Sequence, residues 1–371
     1  MKNLLETDVL IVGGGPAGAS TALNLLKYSD LRVTIIEETN QESIKICEQV
    51  NANLFDLLEY IGVDKHTIEN SGFIHGYSST AAWGSPRIAV RDSVFTAETE
   101  SFQLNREQFD LMLQEKVLEK GGLIFTDTKC LKITQNDSHE WEINVENKTK
   151  GSFSIQAKYL IDATGRQSSI CREIGVESKR YDDLAAIGRF LYFKESDVQE
   201  QDIVVESIED GWWYCASLPN QPMTLTFFSD VTIIKEKHLE KIENWNALLA
   251  KTKHIKHKIS EARLQSNTWV KNAFSQITDI RSKHNFLAVG DAVASFDPIS
   301  SMGIGFAISS SCHAAKAIID ADSGHEGTFL YYQNSINEIY NQYLQTKFFF
   351  YQKEQRWNKS TFWKKRINSS F

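Results

Sequence analysis

Gly13, Gly15 and Gly18, with Glu37 downstream, are the residues of this chain best suited to holding a phosphate. They stand in Ile11–Ser20, Ile-Val-Gly-Gly-Gly-Pro-Ala-Gly-Ala-Ser, at the end of the apolar run Val9–Val12. Gly13 permits a tight turn out of a strand. Gly15 lets a pyrophosphate approach bare backbone, and Gly18 lets a helix pack close to the sheet. Pro16 and Ala17 stand between these glycines, ahead of the helical pattern Ala19–Leu26, and the free N–H groups and dipole of that helix favour negative charge. A second apolar run, Leu31–Ile36, ends in Glu37, about 20 residues on, where an acid takes ribose hydroxyls. Glu38 follows it. Strand, glycine turn, helix, strand and acid in this order predict a dinucleotide-binding βαβ unit. The alternative is a glycine-rich turn of an α/β domain that holds no ligand.

Two further stretches pair a buried strand with a bare turn. Leu160–Arg166 reads Leu-Ile-Asp-Ala-Thr-Gly-Arg, so Ala163, Thr164 and Gly165 would put backbone beside a flat or phosphorylated ligand. Phe286–Ala292 ends in Gly290-Asp291-Ala292, followed by Asp297-Pro298 and Gly303-Ile304-Gly305. Asp291 suits a polyhydroxy chain, and the N–H groups of Gly303 and Ile304 suit a ring edge that gains negative charge. A helix N-cap is the plainer role for Asp291.

The elements that must position these residues follow from periodicity. Helices are expected near Ala19–Leu26, around Leu54–Ile61 with Gly62 as its cap, over Glu107–Glu119, over Lys235–Ala250 and from about Gly303 to Ile319. Leu123–Phe125, Leu131–Thr134, Trp141–Val145, Phe153–Ile155 and Lys158–Ala163 read as strands. Ala185–Phe193, Ile203–Ile208, Trp212–Leu218 and Met223–Phe228 alternate like an antiparallel sheet. The expected architecture is α/β (α+β). A discontinuous nucleotide-binding domain takes residues 1–75, 100–175 and 280–325. A sheet domain of 76–99 and 176–279 is inserted in it, and helices fill 326–371.

Composition narrows the function classes. At 42% apolar and 24% charged residues over a length of 371, the chain reads as globular. A net charge of −8 argues against nucleic acid as a partner. Five scattered cysteines without C-x-x-C spacing read as reduced thiols and predict no metal site. With no long apolar run and the glycine turn so near the start, no transmembrane segment or leader peptide is expected, and a cytoplasmic location follows. No Ser-His-Asp set or paired carboxylates suggest hydrolysis.

The three glycine stretches in this order resemble the FAD-dependent monooxygenase superfamily with the p-hydroxybenzoate hydroxylase-like fold, over about residues 6–320. The resemblance implies a Rossmann-like, glutathione-reductase-like domain that binds FAD. It places Arg106 near the FAD phosphates and ribityl chain, and the backbone of Cys130 and Leu131 at the adenine. Gly290 and Asp291 fall on the ribityl side, and Pro298, Gly303 and Ile304 by the isoalloxazine. Lys45 is a candidate cofactor lysine. O2 would be the co-substrate and NADH or NADPH an electron donor. Asp-Ala-Thr-Gly stands where the superfamily often has Asp-Gly. That departure resembles the halogenase and geranylgeranyl reductase branch and bears on direct nicotinamide recognition.

Gly211-Trp212-Trp213-Tyr214 looks like the Gly-Trp-x-Trp stretch of flavin-dependent halogenases. Tyr214 replaces its second tryptophan, and Ile74 falls where those enzymes carry their catalytic lysine. Trp83, Trp212 and Asp297 are candidate substrate-cavity residues, and His75 is a candidate base for a phenolic or indole proton. A structural histidine and core tryptophans are the simpler readings. Tyr351–Trp357 and Phe362–Arg366 resemble the C-terminus of compact halogenase-like flavoproteins, including the LodB/GoxB-type proteins of quinone-cofactor biogenesis. This resemblance implies hydroxylation of an aromatic ring, a tryptophan of a precursor amino-acid oxidase. The alternatives are a small-molecule hydroxylase, halogenase or prenyl reductase, and a flavin-binding maturation partner with little turnover.

Overall fold

The computed structural model describes residues 4–38, 48–69, 73–75, 78–90, 101–193, 202–216, 223–260, 262–264 and 268–367. Lys45 lies outside them, and of His75 and Ile74 only the backbone is described.

The fold begins with β1 (Leu4–Val12), α1 (Pro16–Tyr28) and β2 (Val33–Ile36). The last four residues of β1 and all of β2 are buried, as expected of strands covered on both faces. The chain returns through α2 (Arg106–Glu119), which Asn105 caps by accepting from the N–H groups of Glu107 and Gln108. β3 (Leu123–Phe125), β4 (Thr128–Gln135), β5 (Trp141–Asn147) and β6 (Gly151–Asp162) follow. The seven-stranded sheet runs β3-β2-β1-β6-β5-β4, and its seventh strand, Phe286–Ala288, pairs with β6.

β6 is one strand where the sequence suggests two. One of its edges pairs with β1 in parallel from Ser154 to Asp162. The other edge serves two partners, β5 over residues 151–157 and the later strand Phe286–Ala288 over residues 160–162. Long-range pairing on both edges carries the strand through its polar middle.

An eight-stranded sheet holds β7 (Leu184–Tyr192), β8 (Asp202–Ile208), β9 (Gly211–Ala216) and β10 (Met223–Asp230), in spatial order β7-β10-β9-β8. Ser78–Ala82 extends it beside β8, and β11 (Trp269–Asn272) pairs with β7. Neighbours on β9 face opposite sides. Trp212 stacks on Phe228 with ring centroids 4.0 Å apart, while Trp213 packs on Phe227 and Trp245. Both faces are therefore covered. The helix expected over Lys235–Ala250 is two helices, Val231–Glu236 and Ile242–Leu249, divided where His238 adopts φ +48°. Glu177–Arg180, Gln276–Asp279 and Ala294–Ser295 form a separate three-stranded sheet.

The chain re-enters the first sheet at β12 (Phe286–Ala288) and continues into α3 (Gly303–Asp322), α4 (Thr328–Gln352) and α5 (Thr361–Ile367). α4 spans both sheet regions. Tyr332 donates to the carbonyl of Ala288 at 2.7 Å, and Phe350 and Tyr351 are buried against the second sheet. Phe349 points to solvent, 63% exposed, so the aromatic run in the tail is only partly packing. Among the described residues no helix is long and apolar enough to cross a membrane.

Candidate functional site

A cavity of about 1790 Å³ runs from the glycine turn after β1 to the inner face of β9 and β10. That exceeds the roughly 300–1,000 Å³ of an ordinary small-molecule pocket. It leaves room for a dinucleotide and a second ring.

Gly13 leaves β1 at φ +111°, and its N–H donates to the carbonyl of Ile36 at 2.8 Å. A Cβ there would stand 2.3 Å from the Ala163 carbonyl oxygen, so the first and second stretches touch through bare backbone. A Cβ on Gly18 would stand 1.9 Å from the Gly13 oxygen. Gly18 does not line the cavity; it lets α1 sit against the turn. Gly15 is different, since a Cβ there would meet nothing within 4 Å. Gly15 opens onto the cavity beside Pro16 and Ala17 at the start of α1. A space bounded by backbone at a helix N-terminus fits a pyrophosphate.

Glu37 sits at the end of β2 and accepts from the Gly14 N–H. Gln114 of α2 donates to the Gly14 carbonyl at 2.8 Å, so the turn is held from both sides. Glu37, Glu38, Cys130 and Leu131 all line this end of the cavity. Burial pushes the Cys130 thiol up to about 11, which leaves it a protonated lining group. Arg106 also lines the cavity, in an ion pair with Asp110 at 3.2 Å.

The second stretch is shaped from within. Asp162 is fully buried; it accepts from the N–H and hydroxyl of Thr164 at 2.8 and 2.6 Å and from the N–H of Cys171 at 2.8 Å. Those bonds curl Ala163-Thr164-Gly165 along the cavity wall. Gly290, at φ +57°, holds the third stretch against α1, where a Cβ would come 2.7 Å from that of Ala17. Like Gly18 it shapes the wall without lining it, whereas Asp291 lines it. Asp291 accepts from Arg166 Nε at 3.1 Å. Arg166 also donates to the carbonyls of Phe274 and Phe296, at 3.2 and 2.7 Å. This guanidinium joins the second stretch, the third and the strand connection into the second sheet. Its burial opposes the charge, but Asp291 outweighs that and holds the pKa above its ordinary value.

Pro298, Gly303 and Ile304 line the middle of the cavity, where α3 begins. The far end is aromatic. Trp212 and Tyr214, two apart on β9, share its wall with Phe228 and Phe296. Asp297 lines it too but is fully buried; it caps the turn Pro298–Ser300 by accepting from the Ile299 N–H at 3.0 Å. Trp83 is not among the lining residues. It packs behind Trp212 against Phe350, Tyr351 and Trp363, and its indole N–H donates to the Phe350 carbonyl at 3.1 Å.

An FAD-binding-domain family model matches residues 6–343. The chain belongs to that family. It is 37% identical over 360 residues to LodB of Marinomonas mediterranea, which is named as an FAD-dependent oxidoreductase; the alignment covers 97% of this chain and 96% of LodB. It is 26% identical to a tryptophan 2-halogenase of Chondromyces crocatus, over 84% of this chain and 61% of the halogenase. The flavin-dependent halogenase CmlS shares the fold at a TM-score of 0.85 and 22% identity, covering 99% of this chain and 68% of CmlS. The peptidyl tryptophan dihydroxylase QhpG, essential for tryptophylquinone cofactor biogenesis, shares it at 0.78 and 20% identity, covering 97% and 78%. The chain is an FAD-dependent oxidoreductase of this family.

The open backbone at Gly15, the two helix N-termini on one cavity and the donor set around Asp291 fit FAD. Arg166, Gln114 and Tyr351, which shape this site, were not among the sequence candidates. Arg166 carried a signal, a lone cation directly after Gly165. Gln114 and Tyr351 carried none, because Gln114 meets Gly14 a hundred residues away, and Tyr351 meets Asp297 and Trp212, 54 and 139 residues away.

Proposed function

We propose that the chain is an FAD-dependent monooxygenase that hydroxylates an aromatic ring, and that the ring is a tryptophan of a partner precursor protein maturing into a tryptophylquinone enzyme. The observation that carries this reading is one cavity with two unlike ends: open backbone at Gly15, and the aromatic wall of Trp212, Tyr214 and Phe228. Near full-length similarity to LodB and the shared fold of QhpG support it.

Bound FAD, reduced by NADH or NADPH, supplies the activation of O2. The chain's own residues do the rest. Gly13, Gly15, Pro16, Ala17 and Arg106 hold the phosphates, with Gly18 packing the helix beneath them. Glu37 and Glu38 meet the ribose, and Cys130 and Leu131 the adenine. Ala163, Thr164, Gly165 and Asp291 flank the ribityl chain, beside the turn at Gly290. Pro298, Gly303 and Ile304 face the ring system, where the α3 N-terminus favours the negative charge that grows on reduction. Trp212 and Tyr214 orient the target ring and exclude water. His75 takes the ring proton. Asp297 lines the aromatic end and shapes its turn, Trp83 supports the wall from behind, and Lys45 is a cofactor lysine in the same reading. Residues 1–75, 100–175 and 280–325 then act as the FAD-binding domain, and 76–99 with 176–279 as the substrate domain, in a cytoplasmic protein.

Halogenation is the second reading, favoured by the likeness to the tryptophan 2-halogenase and CmlS. Ile74 in place of a lysine and Tyr214 in place of a tryptophan weigh against it. The test is aerobic turnover of the holoenzyme with NADH or NADPH and a precursor polypeptide, read by peptide mass spectrometry. Added oxygen on a tryptophan is the expected outcome. A brominated product in bromide buffer would replace hydroxylation by halogenation, and flavin that never oxidises the reductant would point to a maturation partner with little turnover.

A further inference from the structure

α4 carries a stripe of buried polar side chains four residues apart, Tyr343, Lys347 and Tyr351. Each tip meets a distant part of the chain. Lys347 Nζ is bound to Asp182 Oδ2 and, at 2.8 Å, to Ser275 Oγ. Asp182 and Ser275 sit where the chain crosses into and out of the eight-stranded sheet. The Tyr343 hydroxyl is 2.7 Å from Ser275 Oγ and accepts from the Asp297 N–H at 2.7 Å. The Tyr351 hydroxyl donates to Asp297 Oδ2 at 2.8 Å and accepts from Trp212 Nε1 at 3.2 Å.

Tyr351 thus bridges the two sides of the cavity's aromatic end. Trp212 belongs to the sheet wall, and Asp297 begins the turn that leads through Pro298 to α3. All three residues are buried, Tyr351 and Asp297 completely, so water does not replace a lost partner there. Burial also keeps the Tyr351 hydroxyl protonated and able to donate.

We propose that Tyr351 is a positioning residue: it sets the separation between the Trp212 wall and the Asp297-Pro298 turn, and so the gap in which the target ring meets bound FAD. The inference rests on the monooxygenase reading given above. In a coupled turnover, two electrons from the nicotinamide donor and one O2 place one oxygen on the ring and release the other as water. With the ring misplaced, the same two electrons and two protons leave as hydrogen peroxide.

The test is Tyr351→Phe in the FAD-loaded protein. The variant keeps the ring among Trp83, Phe362 and Trp363 but orphans the Trp212 N–H and an Asp297 oxygen. FAD affinity is expected to hold, the absorption bands of bound FAD to shift, and product per reducing equivalent to fall about tenfold or more. Peroxide makes up the difference. Trp212→Phe removes the other end of the bridge, and its effect on partition should not add to that of Tyr351→Phe; if Tyr351→Phe fails to fold, Tyr351→His, which keeps a ring with a polar edge, is read for the same partition and flavin bands. A merely structural Tyr351 would lower thermal stability and leave partition and flavin bands alone, and that result overturns the proposal. If the wild type hydroxylates no ring, the monooxygenase reading fails, and the flavin bands of the variant still decide the positioning role.

Discussion

The two ends of the cavity are built by opposite means. The nucleotide end is shaped by what is absent: Gly13, Gly15 and Gly18 bring backbone to backbone or leave it bare. The aromatic end is shaped by large buried side chains, with Trp212, Tyr351, Asp297 and Tyr343 linked by hydrogen bonds across more than a hundred residues of chain. One end takes its shape mainly from short glycine motifs. The other needs, besides the sheet wall, the side chains that α4 brings to it.

The largest effect is expected where a methyl has no room. Gly18→Ala would press a Cβ into the Gly13 carbonyl, and we expect a loss of about 3 kcal/mol or more, with FAD no longer retained on gel filtration. A variant that keeps both FAD and stability would show that the turn is softer than the comparison holds.

The next effect lies at the other end. Lys347→Met takes from the part-buried Asp182 its hydrogen-bonded cation and leaves only the more distant Arg366, for a cost of about 3 kcal/mol at neutral pH in denaturant unfolding. The pH dependence follows. Burial alone would raise the Asp182 carboxyl, but Lys347 and Arg366 outweigh it and hold it at about 2, against an ordinary 3.8. A depressed folded-state pKa gives stability that is complete above the ordinary value and lost as pH falls toward 2. Lys347→Met should therefore flatten the acid limb of the stability curve below about pH 4. Asp297 has the opposite sign. Burial raises its carboxyl, with Lys347 opposing, so it costs stability at neutral pH, and that cost is relieved as pH falls through its folded value.

A smaller effect separates binding from folding. The Cβ of Gly15→Ala enters open space, so the melting temperature of the FAD-free protein should not move. FAD affinity measured by titration should fall about tenfold, or ~1.4 kcal/mol. A drop in apoprotein stability would mean that Gly15, too, serves packing. The smallest effect belongs to the surface. Lys316→Ala breaks an exposed pair with Asp320 and should leave the denaturant midpoint where it is.

Much of this molecule was legible in the sequence, and unevenly so. Glycine spacing, strand runs and Glu37 predicted the βαβ unit, because a turn, a strand and a helix are decided within a few residues. The alternation at Trp212, Trp213 and Tyr214 set which residues share a face of β9, though not that both faces are covered. Pairing on both edges joined β6 where local pattern suggested two strands. A left-handed His238 split a helix that periodicity made continuous.

The sequence by itself determined the family, the α/β order of elements and the nucleotide end, since those rest on short-range sterics and backbone geometry. Tertiary structure alone decided that Arg166 would bind Asp291, that Trp83 would stand behind the cavity wall, and that Tyr351 would tie Trp212 to Asp297. Such contacts form between residues whose separation along the chain says nothing of their distance in space. Their strength comes from burial, which exists only after the chain has folded.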